Sequence, residues 1–389
     1  MMSGSSQESK KLKRIHAVDR LSGLPDSILH HIISFLDSKS AVRTSLLARR
    51  WRCLWKHVPV LNFIQKSFPN LSSFTKHIHR ILSLRFHQIP VSSITFKICG
   101  DKWGGAMKTF EKIMRYAHSH GGGGLHHLSF IDDKLQFNIR EVADAIAASH
   151  HNESLKILML RRCTLEREFD SHFKLLTILE LHRCDLKPYP AGKLFDPFAN
   201  LPCLSHLKLI GCLVYHHDTR FMISGLQLLV LEIHFSGSIS EVRAPKLKSL
   251  YWWGSRSRYL PKLNLPALDH ANIHLGWHMT CGDAALEEEN LSFMNLFCGL
   301  RNAESLQLCF EKAKYIYHNV EQHFPLNTIK ALIGPEAPPF TRLKSLKIQC
   351  AGQQKLPNIH YEVLHYFFEG SLSSEAKLLQ FELVKEKQC

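Results

Sequence analysis

No stretch of the 389 residues approaches the ~18 uninterrupted apolar residues that a membrane-spanning helix needs. The opening MMSGSSQESKKLKR holds no apolar segment of the secretory type, so an intracellular, unanchored protein is expected. Paired CxxC spacing is missing as well. The eleven cysteines, an odd number, therefore suggest free thiols in a reducing compartment rather than a disulfide framework. Histidine is common, with doublets at His30-His31, His126-His127, His150-His151 and His216-His217, but no i, i+4 pair on a helix is joined by a CxxC element. These histidines read as surface residues, and no metal is expected. Gly121 to Gly124 lacks the Lys-Ser/Thr that completes a phosphate cradle and reads as a flexible loop, so no cofactor is expected either. Cys53 has no histidine with an acidic partner around it, and no nucleophile with its base is evident. No catalytic residue is expected.

Acids are outnumbered. Lys and Arg total 49 against 34 Asp and Glu, giving a formal charge of +15. Residues 1–60 hold eleven Lys and Arg and four acids, which leaves +7 in this sixth of the chain. Arg43, Arg49, Arg50, Arg52 and Lys56 lie in one apolar-rich stretch, so an acidic protein partner is a simpler reading than nucleic acid. Lys10, Lys11, Lys13 and Arg14 form a short basic cluster in a tail (1–18) expected to be disordered. It fits a nuclear import signal, with a plain solvated tail as the alternative, and the expected location is the nucleus, then the cytoplasm. A composition of 45% apolar and 21% charged residues suits a globular chain with one small and one large module.

The small module is visible in DRLSGLPDSILHHIISFLDSKSAVRTSLLARRWRCLW, residues 19–55. Pro25 stands where a first helical residue belongs, because its missing N–H costs nothing there, and Asp26 follows where the helix dipole favours a negative charge. Ile28, Leu29, Ile32, Ile33 and Leu36 recur at helical period. Asp37 and Ser38 end or re-cap this helix. Ala41 to Arg50 predicts a second helix, with Trp51, Leu54 and Trp55 just beyond it. That is more apolar surface than about 40 residues hide by themselves, so another subunit must cover it.

L-P-D at 24–26, I-L-x-x-I-I-S-F-L at 28–36, K-S-A-V-R-T-S at 39–45 and R-W-R-x-L-W at 50–55 closely resemble the F-box, particularly its plant form. The resemblance implies a module, residues 19–60, that docks on the Skp adaptor of an SCF ubiquitin ligase, and through it reaches a cullin and a RING subunit. Leu24, Pro25, Ile28, Leu29, Ile32, Leu36, Val42, Leu46 and Trp51 are the residues expected to contact the adaptor or to hold the helices that do.

Residues 61–90 carry Phe63, Phe68, Leu71, Phe74, Ile78, Ile81, Leu82 and Leu84 at mostly helical spacing and read as linker helices. Beyond them the sequence repeats. Leu155, Leu158, Leu160, Cys163 and Leu165 fit L-x-x-L-x-L-x-x-C-x-L, and Leu176, Leu179, Leu181, Cys184 and Leu186 fit it again. Weaker copies start at Val91, Leu125, Leu204, Leu226 (with Leu229 and Leu231), Leu247, Leu268, Ala303, Leu343 and Leu378 (with Phe381 and Leu383). The L-x-L alternation predicts a short strand with every second side chain in a core, and Cys163, Cys184 and Cys212 predict a small buried ladder where the chain turns away. Helices are expected over Thr109–His118, Asn138–Ala148 with Asn138 as N-cap, and Asp283–Phe297.

The pattern resembles leucine-rich repeats. The expected fold is therefore α/β, an N-terminal helical F-box module followed by an irregular leucine-rich-repeat solenoid over 91–389, of which 340–389 is weakly FBD-like. On the solenoid, Tyr251, Trp252 and Trp253 are the candidate target-binding patch, since alternate aromatics on a strand share a face. Together the two resemblances imply a non-catalytic subunit that brings an unknown protein target to a ubiquitin ligase. Two rivals are a basic repeat scaffold that binds nucleic acid, and a small-molecule receptor built on the same repeats.

Overall fold

The computed structural model describes residues 20–99, 104–119, 124–134, 137–149, 153–169, 173–187, 194–214, 220–234, 239–254, 260–277, 295–312, 340–351, 367 and 378–384. Lys10, Lys11, Lys13, Arg14 and nearly all of the helix expected over 283–297 lie outside them. The chain is a mixed α/β structure, with an N-terminal helical region followed by a strand-rich region.

Among the described residues, one parallel sheet of 12 strands organises the strand-rich region. In chain order these are β1 (Val60–Ile64), β2 (Ser93–Ile98), β3 (His127–Asp132), β4 (Ile157–Arg161), β5 (Ile178–His182) and β6 (His206–Ile210). They continue with β7 (Val230–His234), β8 (Ser249–Gly254), β9 (His270–Trp277), β10 (Ser305–Lys312), β11 (Ser345–Ala351) and β12 (Leu378–Val384). Sequence order equals spatial order, and the strands stack without stagger. Leu128, Leu158, Leu179, Leu207, Leu231 and Leu250 form one row across the sheet, and Phe130, Leu160, Leu181, Leu209, Ile233 and Trp252 form the next. Both rows are buried. A row of this kind supports itself only through its neighbours, so burial worth roughly 1.5–3 kcal/mol per leucine is realised by stacking rather than within a single repeat.

Behind the main sheet the chain returns through short strands that pair among themselves. Phe137–Asn138, Cys163–Leu165, Asp185–Leu186 and Leu213–Val214 form one parallel sheet. Leu194–Phe195, Arg220–Ser224, Glu241–Arg243 and Lys262–Asn264 form another. Cys163, Cys184 and Cys212 are fully buried at the turn between layers. The Cys184 thiol donates to the Leu160 carbonyl at 3.6 Å and the Cys212 thiol to the Leu181 carbonyl at 3.3 Å, each bridging to the strand before. Where repeats are longer, helices fill the space: α4 (Gly104–Ser119), and α5 (Ile139–Ala147), whose N-cap Asn138 accepts the Arg140 N–H at 2.9 Å.

Three readings of the repeat need correction. Residues 61–64, which the linker reading assigns to helix, belong to the first strand of the main sheet (Val60–Ile64), with Leu61 opposite Ile94 and Phe63 opposite Phe96. Between residues 61 and 90 the α-helix is α3 (Leu71–Leu84), capped by Asn70, preceded by a single 3-10 turn at Gln65–Ser67. Apolar residues at 61 and 63 satisfy period 2 as well as the edge of a helical pattern, and pairing with β2 decides between them. The copy at Leu226 is two residues early. Leu226 is 76% exposed and Leu229 39%, whereas Leu228, Leu231 and Ile233 are buried, because the run LQLLVLEI offers two registers and Leu231 lies opposite Leu207. The copy at Leu378 is shifted the other way, since Leu379 and Phe381 pair with Leu346 and Ile348.

Candidate functional site

The N-terminal module is built on α1 (Asp26–Ser34) and α2 (Ser38–Arg43), and the expected second helix does not continue to Arg50. It breaks into single 3-10 turns at Thr44–Leu46, Arg49–Arg52 and Leu54–His57. Pro25 immediately precedes α1, and its carbonyl accepts the Ile28 and Leu29 N–H groups at 3.1 Å. The Asp37 carboxylate caps α2 by accepting the N–H groups of Lys39 and Ser40 at 3.0 and 3.1 Å.

The R-W pair of the motif stitches the module shut. The Arg50 guanidinium meets the Asp26 carboxylate at 2.6 Å and also donates to the Ser22 carbonyl, while Trp51 Nε1 donates to Ser22 Oγ at 2.9 Å. A second set of bonds fixes the module to the sheet. Asn62 on β1 donates to the Ser34 and Leu36 carbonyls at 2.8 and 3.1 Å, Ser38 Oγ lies 3.0 Å from His77 Nε2 on α3, and Lys39 Nζ reaches the Ser67 carbonyl at 2.5 Å. Buried Arg85 donates to the carbonyls of Val58, Ile89 and Pro90 at 2.9, 2.7 and 3.2 Å, tying the end of the module to the loop before β2. Asn62 and Arg85 carry this junction, and only the structure identifies them, since a lone polar residue in an apolar stretch has no distinctive spacing.

Helix α1 carries two apolar seams about 100° apart, 28-32-35 and 29-33-36, and only one can face its own chain. Leu29 and Ile33 are fully buried against a core that includes Trp51, Leu54, Trp55 and Val58. On the other seam Ile28 is 45% exposed and Phe35 74%. Leu46 and Leu47, just past α2, are more open still, at 85% and 66%. Of the nine residues singled out from the sequence, Pro25, Ile28 and Leu46 are exposed, Leu24, Ile32, Leu36 and Val42 are half-buried, and Leu29 and Trp51 belong to the core that holds the helices. Phe35 and Leu47 were not singled out. The i, i+4, i+7 spacing from Ile28 through Ile32 would have pointed to Phe35.

A second candidate surface lies on the open face of the main sheet, where the residues between the buried rows point outward. Trp252 is not part of it. Its side chain fills the second buried row, 6% exposed, because its strand position is that of Ile233 and Ile273 in the neighbours. Tyr251 and Trp253 do face outward. Trp253 lies between two imidazoles, His234 at 5.5 Å and His274 at 4.5 Å. His234 in turn meets Glu232 at 2.6 Å, and Lys208 meets the other Glu232 oxygen at 2.7 Å. Partial burial opposes ionisation of Glu232, but Lys208 and His234 outweigh it and hold the carboxyl below its ordinary range. Burial, then the neighbouring His234, lowers His274 to about 4, so its ring is neutral at pH 7.

Comparison with known proteins bears on the N-terminal module and on the repeats that follow it. Residues 21–63 match the F-box domain. A protein of Arabidopsis thaliana described by name as an F-box/FBD/LRR-repeat protein is 25% identical over 370 residues, which cover 85% of this chain and 68% of that protein. Another, described as an F-box/LRR-repeat protein, is 28% identical over 244 residues, covering 62% of this chain and 42% of its own, so the chain spans less than half of that relative. An F-box protein of the same plant is 46% identical over 65 residues, covering 17% of this chain and 16% of its own. The module at residues 21–63 is an F-box, and over most of its length the chain is similar to F-box/LRR-repeat proteins.

Proposed function

We propose that this chain is the target-recruiting subunit of an SCF-type ubiquitin ligase. Its F-box docks on a Skp-type adaptor, which leads to a cullin and a RING subunit, and its sheet holds the protein to be ubiquitinated. The observation that carries this reading is the unburied seam of Ile28, Phe35, Leu46 and Leu47 on a module otherwise stitched closed by Arg50, Trp51 and Asp37. Apolar side chains this open, on helices whose other face is already satisfied, suit a helical partner. Tyr251 and Trp253 supply aromatic area on the sheet for target contact, and the basic cluster of Lys10, Lys11, Lys13 and Arg14 supports a nuclear location.

The work in this reading is geometric. The chain raises the effective concentration of target lysines near a charged conjugating enzyme and contributes no catalytic group of its own. Co-expression with a Skp-type adaptor tests it. The unaltered chain should co-purify with adaptor and cullin, and Leu46→Asp with Leu47→Asp should abolish capture while leaving circular dichroism and the thermal midpoint unchanged, because both side chains already lie in water. Undiminished capture by the double variant would refute the docking assignment.

A further inference from the structure

Three successive strands leave the main sheet through the same left-handed turn. Arg162 after β4 has φ 58°, Arg183 after β5 has φ 52° and Gly211 after β6 has φ 61°. The turn is demanded by the ladder. The N–H groups of Arg162, Arg183 and Gly211 donate to the carbonyls of His182, Ile210 and His234, each on the following strand, at 2.9, 2.6 and 2.7 Å. Glycine adopts this backbone freely, whereas an arginine there crowds its own Cβ against a carbonyl. A turn with no other duty is best served by glycine in all three places, as Gly211 illustrates.

What the arginines add is charge at one edge of the open face. Strands β4 and β5 are direct partners, with Arg161 opposite His182, so Arg162 and Arg183 stand side by side about 5 Å apart. Arg161 projects from the open face beside them, and Lys97 lies two strands away at the same level. The nearby carboxylates are each partly engaged. Asp133 accepts the Cys99 thiol at 2.8 Å, and that bond, with the charges of Lys97, Arg161 and Arg162 nearby, holds its carboxyl below the ordinary range; Glu180 meets His182 at 3.1 Å and Asp132 is buried. Arg162 donates to the Asp133 main-chain carbonyl, and among the described residues Arg161 and Arg183 enter no ion pair.

We propose that Arg161, Arg162 and Arg183 form an anion-recognition edge that grips a carboxylate-rich segment of the recruited protein. Guanidinium forks at neighbouring strand spacing suit side-chain carboxylates taken in pairs. A continuous phosphate backbone fits less well, because the three arginines span only two neighbouring strands and Asp133, Glu180 and Glu232 border them, so a short run of carboxylates stays on the cationic patch where a longer polyanion would run onto acids. The proposal deepens the reading of the sheet as the target-holding surface.

The test uses the full chain co-expressed with its adaptor and a fluorescein-labelled poly-glutamate peptide at low ionic strength, read by anisotropy. Arg162→Gly with Arg183→Gly preserves the turn. The thermal midpoint should hold or rise while peptide affinity falls about tenfold per arginine. Arg161→Gln, on ordinary extended backbone, should weaken the peptide without touching either turn. Lys246→Gln with Lys262→Gln removes the same charge elsewhere and should leave affinity within about twofold. The proposal is overturned if the arginine variants bind as well as the unaltered chain, if the lysine control loses as much, or if a single-stranded RNA is held more tightly than the peptide. Adaptor capture is scored in the same preparations. A chain that loses peptide through the arginines yet never captures adaptor would sink the ligase reading and leave this edge standing.

Discussion

Leu29→Ala and Phe35→Ala, one at the inner seam of α1 and one at its C-terminal end, should damage different properties. Leu29 is fully buried, so truncation removes packed methyl groups and leaves a void, costing about 2–5 kcal/mol of folding free energy. Phe35 is 74% exposed and touches His31 edge-on at 4.8 Å, so its loss should change the stability of the free chain by about 0.5 kcal/mol or less. In an assembled complex the order reverses. Burying a phenylalanine against a partner contributes roughly 1.5–3 kcal/mol, which is about a ten- to hundredfold change in adaptor affinity. Calorimetric unfolding of the free chain and titration with purified adaptor measure the two columns independently. If Phe35→Ala unfolds the chain as readily as Leu29→Ala, or leaves adaptor affinity unchanged, the division of α1 into an inner and an outer seam is wrong.

Two further outcomes follow from the interior and the open face. Under native conditions iodoacetamide should label exposed Cys53 and Cys203 and spare Cys163, Cys184 and Cys212 until denaturant is added, which peptide mass spectrometry will read; early labelling of the ladder would contradict its burial. His274 has its pKa depressed from 6.5 to about 4 on folding, so between those values the unfolded chain binds the extra proton and stability falls as the pH is lowered. With screening at a partly accessible ring allowed for, the loss from pH 7 to pH 5 should be about 1 kcal/mol, and His274→Phe should flatten the thermal midpoint across that range.

The sequence was most legible where one requirement dominated. Leu155 to Leu165 and Leu176 to Leu186 show every position of the repeat, because row, turn and cysteine ladder each demand a residue type and no other element competes. The F-box was legible for a similar reason: Arg50 is bonded to Asp26, and Trp51 to Ser22, by bonds that need those side chains in that order. Legibility failed where two periods shared the same apolar residues. Val60–Ile64 lay beside a true helix, LQLLVLEI accepted two strand registers, and Phe35 was hidden because a helix with a wide apolar stripe does not announce which side its own chain will cover. Tyr251 to Trp253 showed the limit of alternation, which groups side chains by face but leaves the choice of face to the neighbouring strands.

Asn62 fastens the corner between α1 and α2 to β1, at the join of the front of the molecule and its long sheet. The segment recognised as an F-box itself runs to residue 63, so its final residues double as the opening rung of the ladder. Under the proposed function, a protein gripped on the sheet would be held at a set distance and bearing from the docking face. How it is seated, rather than any swinging of the support, would then decide which of its lysines come within reach.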